Sequence, residues 1–210
     1  MIKKALSMMF AFLLMFSSVG FAQVQGEPTQ NPASASASYY YWKITSTSNY
    51  GNVTKGSWVH LYTGYPATRT GEVDTISASV TYTHQIAGTV NVTNSVVSAE
   101  VGYTIGQDKQ FSISRETPPL NKGEYVKAFY IKSYSRTTLN QRQYFYDLGT
   151  SYPTSNYATG YADEAILPQL RLEYYSSTAR SAGPTKVEYY ENIDGEYVQV
   201  NEEELGENVE

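Results

Sequence analysis

The chain has 210 residues, 17% of them charged, with a net charge of −5, no cysteine, two histidines and 21 tyrosines. That length buries one sizeable core, the missing cysteines exclude a disulfide framework and a lipid-modified N-terminal cysteine, and two histidines do not make a multi-histidine metal site unaided. The acidity is local: residues 186–210 hold nine carboxylates against Lys186, whereas residues 23–185 hold twelve basic and eleven acidic groups, so nucleic acid is a poor partner.

Met1-Ile2-Lys3-Lys4 precedes an apolar run from Ala5 to Phe16 and then Gly20 and Ala22, small residues two apart. This reads as a secretory signal peptide cleaved between Ala22 and Gln23. The run is shorter than the ~20 residues a spanning helix needs. Secretion is the expected localisation, and the short two-lysine start without cysteines looks like export from a Gram-positive bacterium. Residues 23–38, rich in Pro, Ser, Ala and Gln, lack the apolar side chains to offset ordering entropy and are expected to form a flexible leader.

Tyr39-Tyr40-Tyr41-Trp42-Lys43-Ile44 opens the structured part as a strand. Four consecutive aromatics cannot all share one face, so either both faces are covered or some rings are displayed for a ligand. Asn49 to Asn52 reads as a turn and Ser57 to Tyr62 as a second short strand, with His60 sharing a face with Trp58 and Tyr62.

The stretch from Thr75 to Phe145 organises the rest. Ile76, Ala78, Val80, Tyr82, Ile86, Val90 and Val92 share one parity, and Ser77, Ser79, Thr81, Thr83, Gln85, Thr89, Asn91 and Thr93 the other. That is the period-2 pattern of a strand with one buried face. It is far longer than the usual ~5–6 residues, and His84 to Gly88 is the expected interruption. The phase then changes, because Val97, Ala99, Val101, Tyr103 and Ile105 are odd-numbered. A bulge or short turn near 93–96 accounts for the change, and residues 95–100 also suit a helical turn. Strands follow at Phe111 and Ile113, at 125–134 and at 142–146, with Pro118-Pro119 and Leu120 to Glu124 between them.

Lys109 to Arg142 holds seven basic residues against Glu116 and Glu124. Lys127, Lys132, Arg136 and Arg142 are therefore candidates to contact an anionic partner such as a wall polymer, with a solvated strand face as the alternative. Gly149 to Ala162 reads as a Tyr/Ser/Thr/Gly loop. Strands are expected at 170–175, 187–190 and 197–200, the last two flanking a turn at Asp194-Gly195.

Val101-Gly102-Tyr103-Thr104-Ile105-Gly106, followed by Pro119, Lys122-Gly123 and Lys127-Ala128-Phe129-Tyr130, resembles a family of uncharacterised small secreted proteins of Bacillus-like bacteria over about residues 76–146. The resemblance implies an extracellular β-rich fold and no activity. The Ser/Thr alternation also resembles, in composition, the insertion tracts of aerolysin-type pore-forming toxins.

No catalytic constellation is legible. The carboxylate pairs Glu72/Asp74 and Asp163/Glu164 are sequence neighbours, whereas glycosidase carboxylates face each other across a cleft. The expectation is an all-β fold, an antiparallel sandwich or an elongated antiparallel sheet. It comprises signal peptide 1–22, leader 23–38, one β domain over 39–200 and an acidic tail over 201–210. The expected function is that of a secreted, non-enzymatic binding or wall-associated module without a cofactor, meeting an anionic wall polymer or a cell-surface protein. The alternative is an aerolysin-type pore former that inserts residues near 76–105, and a membrane is a partner only under that alternative.

Overall fold

The computed structural model describes residues 38–178, 183–193 and 195–204. The signal peptide with its cleavage point at Ala22 and Gln23, the leader through residue 37, and the last six residues of the acidic tail lie outside them. The fold is all-β and antiparallel. In chain order the elements are β1 (Tyr39–Thr63), β2 (Thr75–Thr83), β3 (Gln85–Gly88), α1 (Asn94–Val101), β4 (Asp108–Glu116), β5 (Glu124–Asp147), β6 (Thr150–Ser176), β7 (Lys186–Ile193) and β8 (Glu196–Glu204).

The main sheet has the order β1-β5-β6-β7-β8, with β3 sharing the outer edge of β6. Strands β1, β5 and β6 hold 25, 24 and 27 residues. At ~3.3 Å per residue this three-stranded sheet runs for roughly 80 Å. One end carries the loops at 64–74 and 117–123. The other end, hereafter the tip, is made by the start of β1 and the β5–β6 turn.

The expected turn at Asn49–Asn52 is a bulge inside β1, where the register against β5 shifts between Asn49 and Gly51. Gly51 takes φ +108°, which a side chain would resist, and that lets the strand bend and continue. The two expected strands 125–134 and 142–146 are one strand. The expected loop 149–162 is the first half of β6, paired with β5 from Thr150 onward. Its Pro153 is tolerated because β3 and β7 reach the outer edge of β6 only at 160–163 and 170–174, so no ladder partner is lost. Strand β8 runs four residues into the expected acidic tail.

Strands β2 and β4 form a separate two-stranded sheet. Its apolar parity (Ile76, Val80, Tyr82, Phe111, Ile113) is buried against Val126, Tyr134, Leu170 and Leu172 of the main sheet. Ser77, Ser79, Thr81, Gln110, Ser112 and Ser114 line the opposite, exposed face. Between β2 and β4 the chain crosses the β6 edge as β3 and covers the other side of the long sheet. There Val97 and Ile105 bury Leu139 and Ala162, with Ile44, Val90, Val92 and Val101 around them.

Candidate functional site

The segment 84–107 is the part of the chain whose sequence and fold agree least. Helix α1 has eight residues, an N-cap Thr93 without a side-chain bond, no acid in its first turn and no base in its last. Val96, Val97 and Val101 are poor helix formers. Burial of Val97 and the Gly102 N–H to Ser98 carbonyl bond (3.0 Å) hold the helix, while the sequence around it alternates with period 2.

The observed pairing of β2 with β4 runs from Thr75 opposite Glu116 to Thr83 opposite Asp108. Carried forward at the same register, it places Ile86 opposite Ile105, Gly88 opposite Tyr103, Val90 opposite Val101 and Val92 opposite Ala99, and leaves Ser95-Val96 as a two-residue turn. The other face pairs Gln85 with Gly106, Ala87 with Thr104, Thr89 with Gly102, Asn91 with Glu100 and Thr93 with Ser98. The phase change noted in the sequence is therefore what a hairpin requires. One register sets Ala78 against Ile113, Val80 against Phe111, Ile86 against Ile105, Val90 against Val101 and Val92 against Ala99 on one face and mostly Ser, Thr, Gln and Asn on the other, with Ile76–Arg115, Tyr82–Lys109, Ala87–Thr104 and Asn94–Val97 as mixed pairs.

In the folded chain this continuation is prevented by specific ties. The buried Gln141 side chain imitates a neighbouring strand, its Oε1 accepting from the Asn91 N–H (2.7 Å) and its Nε2 donating to the Thr89 carbonyl (2.9 Å). Gly160 lets the chain approach closely, since a Cβ there would stand 2.5 Å from Val90 Cγ2 and 2.6 Å from the Thr89 oxygen. The Tyr82 hydroxyl donates to the Ile166 carbonyl. At the far end of the hairpin, the Arg115 guanidinium lies 3.7 Å from the Tyr190 ring centre and donates to the Tyr197 carbonyl (3.1 Å). Tyr190 is itself anchored, donating with Tyr174 to the buried Glu188 (2.6 and 2.5 Å). Burial pushes the Glu188 carboxyl up, but Lys186 and the two hydroxyls more than offset it and hold the group below its ordinary value.

His84 occupies the junction of β2 and β3. Its Nδ1 accepts from the Ala165 N–H (3.0 Å), filling the gap on the β6 edge between β3 and β7. The Tyr103 ring covers it at 4.9 Å. Burial, and next Lys109, push the imidazole below its ordinary value of 6.5, with Glu164 opposing. A depressed histidine contributes stability that is present above 6.5 and is lost as pH falls through the folded value, because a protonated Nδ1 faces the Ala165 donor. Unfolding in urea between pH 7.5 and 5 should show the midpoint falling below about pH 6.5, more steeply than in His84→Gln, whose amide oxygen still accepts from Ala165. Equal slopes in both would remove His84 from this role.

Asp163 is fully buried where β3, β6 and β5 meet. Arg136 grips it through two bonds (2.7 and 3.0 Å) and Lys55 approaches to 2.5 Å. The Arg136 guanidinium also lies over the Tyr161 ring at 4.8 Å. Burial pushes the Asp163 carboxyl up, but the Arg136 and then the Lys55 hydrogen bonds leave it below its ordinary range.

The structure does not gather the four candidate cations into one patch. They are strung along β5, with Lys127 on the opposite parity from Lys132, Arg136 and Arg142. Lys127 sits 4.2 Å from the Tyr175 ring, Lys132 lies opposite Lys55, Arg136 is taken by Asp163, and Arg142 donates to the Thr154 carbonyl (2.9 Å). The carboxylate pairs are likewise engaged: Asp74 accepts from the Tyr62 hydroxyl (2.8 Å), Glu72 from Thr68 (2.6 Å), and Glu164 meets Lys109 (3.4 Å). Among the described residues no group of three His, Asp or Glu is placed to hold a metal ion. No described helix is long and apolar enough to cross a membrane. Sequence reasoning missed Gln141 and Gly160, whose roles depend on contacts 52 and about 70 residues away along the chain.

No protein-family model matches the chain, and no curated protein does. Among solved structures the chain is similar to one in the crystal structure of the Cry23Aa1 and Cry37Aa1 binary protein complex, with 12% identity and a TM-score of 0.28 over 83% of this chain and 92% of that one. A likeness this distant does not bear on function.

Proposed function

We propose that the protein is an exported, non-enzymatic β-pore former in which residues 75–116 leave the docked arrangement and become one continuous amphipathic hairpin that inserts into a membrane together with other copies of the chain. The observation that carries the reading is the single register that keeps one mainly apolar and one mainly polar face through most of the segment, although half of it is folded otherwise. The distal part, 85–94 with 97–106, supplies ten residues per strand. A tilted transmembrane strand takes ~9–11 residues and spans a ~25 Å apolar band. Ile86, Gly88, Val90, Val92, Val97, Ala99, Val101, Tyr103 and Ile105 would face lipid, with Asn94 beside the turn, and Gln85, Ala87, Thr89, Asn91, Thr93, Ser98, Glu100, Gly102, Thr104 and Gly106 the lumen. His84, Gln107 and Lys109 fall outside the band.

The energetics are compatible with such a move. Val97, Ile105 and their neighbours exchange protein contacts for acyl chains, so their burial is not lost. Backbone groups freed from α1 are paired again within the hairpin, as a bilayer demands. A binding module is the second reading, favoured by a cleft of about 410 Å³ whose lining includes Asn52, Ser133, Gln169 and Asn192.

The test uses a lock. Ala87 and Tyr161 are direct partners across β3 and β6, within disulfide reach, and the chain has no other cysteine. Wild type should release dye from phospholipid vesicles. The oxidised Ala87→Cys/Tyr161→Cys protein should release it at least tenfold more slowly, and reduction should restore the rate. Absence of release by wild type, or release unaffected by the lock, overturns the reading, and retention of a wall glycan without leakage would favour the binding module.

A further inference from the structure

We infer that the tip of the long sheet is a docking site for a phospholipid surface, distinct from the hairpin that inserts. The register puts Tyr39, Tyr146 and Ser151 side by side on one face, then Tyr41, Tyr144 and Pro153, then Lys43, Arg142 and Tyr157. On the other face Tyr40, Phe145 and Tyr152 are aligned, with Trp42 behind them. Tyr40, Tyr152 and Tyr157 are 64%, 53% and 67% exposed.

At the apex, Leu148 and Gly149 form the two-residue β5–β6 turn. Leu148 is 76% exposed and takes φ +46°, a conformation in which Asn or Gly would cost less. An apolar side chain kept in both an unfavourable environment and an unfavourable conformation points to a partner that rewards it.

Three features select a lipid surface over a sugar or a peptide. The rings cover both faces of the sheet, whereas a sugar or a peptide strand would be held on one face or one edge. The order along the axis, leucine at the apex, tyrosines next and cations behind, follows the polarity gradient of a bilayer interface, where Tyr and Trp concentrate and Lys and Arg reach phosphates. Lys43 stands 5.3 Å from both the Tyr41 and Tyr144 ring centres, and Arg142 5.0 Å from that of Tyr157, so charge and rings form one surface. The carboxylate at the tip, Asp147, accepts from Ser38 (2.5 Å).

A fourth feature rests on the pore-forming reading. Arg115, opposite Ile76, packs near Tyr190, which pairs with Leu170, while Tyr82 reaches Ile166 and Lys109 reaches Glu164. Strand β2 therefore runs toward the tip, and the extended hairpin would point to that end.

The two tryptophans allow a direct test. Trp42 lies at the tip, and Trp58 lies roughly 50 Å away along β1, beside Tyr189. On equimolar phosphatidylcholine and phosphatidylglycerol vesicles, brominated acyl chains should quench Trp42 emission at least twofold in Trp58→Phe and leave Trp58 unquenched in Trp42→Phe. Replacing Tyr40, Leu148 and Tyr152 by serine should weaken vesicle binding at least tenfold without changing thermal unfolding. The oxidised lock variant should still show the quenching, so a protein that binds through its tip yet releases no dye would refute pore formation and leave this site standing. The inference is overturned if vesicles are not bound, if Trp42 is unquenched in bound protein, if the triple variant binds as wild type, or if the tip residues serve retention on wall glycan instead.

Discussion

Replacing Asp163 by alanine should destabilise the protein by about 3 kcal/mol, the scale seen when one partner of a buried ion pair is removed. The side chain is wholly inaccessible, and its loss leaves Arg136 and Lys55 facing each other without a counter-ion. Both cations keep some contact with water, which holds the cost to the lower end of that scale. With a urea dependence of about 2 kcal/mol per molar, the unfolding midpoint should fall by roughly 1.5 M. Asp163→Asn should cost less, since the amide still accepts from Arg136. Removing all three charges together, with Asp163→Leu, Arg136→Met and Lys55→Met, should recover most of the loss, because the desolvation cost disappears with the charges. An unchanged midpoint in Asp163→Ala would show that the triad does not hold β1, β5 and β6 together. Because the carboxyl is held below its ordinary value of 3.8, the stability it contributes is complete above that pH and is lost only as pH drops further.

Gly160→Ala acts on the docked segment itself. The added methyl meets the Thr89 carbonyl and Val90 at distances no real Cβ contact tolerates, and one of the two is backbone, so residues 89–92 must move off the sheet. Crowding of this kind costs about 1–3 kcal/mol. The Gln141 amide would lose both its backbone partners in the same step. In the proposed mechanism this destabilises the docked state and not the inserted one, so dye release should accelerate by roughly tenfold or more, a factor of ten corresponding to about 1.4 kcal/mol. A stability loss with slower release would instead mean that the docked segment is needed intact.

The fold was legible where one face of a strand is buried and the other is wet. Strands β2 and β4 were recoverable from alternation, and β7 from the turn residues that follow it in the sequence. The reading failed where a strand has little to bury: residues 150–159 at the tip place mostly Ser, Thr, Tyr and Pro on two exposed faces, so a paired strand carries the composition of a loop. It failed in the opposite sense at Asn49 to Asn52, where a glycine marks a bulge and not a reversal, because both obey the same local demand for a positive φ. The segment 84–107 shows a different limit. Its sequence satisfies two structures, the observed β3 and α1 and the extended hairpin, and the choice between them is made by Gln141, Gly160 and Ala165, remote residues that no local pattern reveals. The four lysines and arginines of β5 looked like one patch because they are close in sequence; the strand is so long that their nearest partners are other residues.

The most direct measurement of the central claim is a single-cysteine scan of residues 97–105 with an environment-sensitive dye, made possible by the absence of native cysteine. In vesicle-bound protein the account predicts a period of two, with dyes at 97, 99, 101, 103 and 105 in lipid and those at 98, 100, 102 and 104 in water. A period of three to four residues, or the same dye environments in solution and on vesicles, would mean that α1 survives at the membrane and would contradict the hairpin.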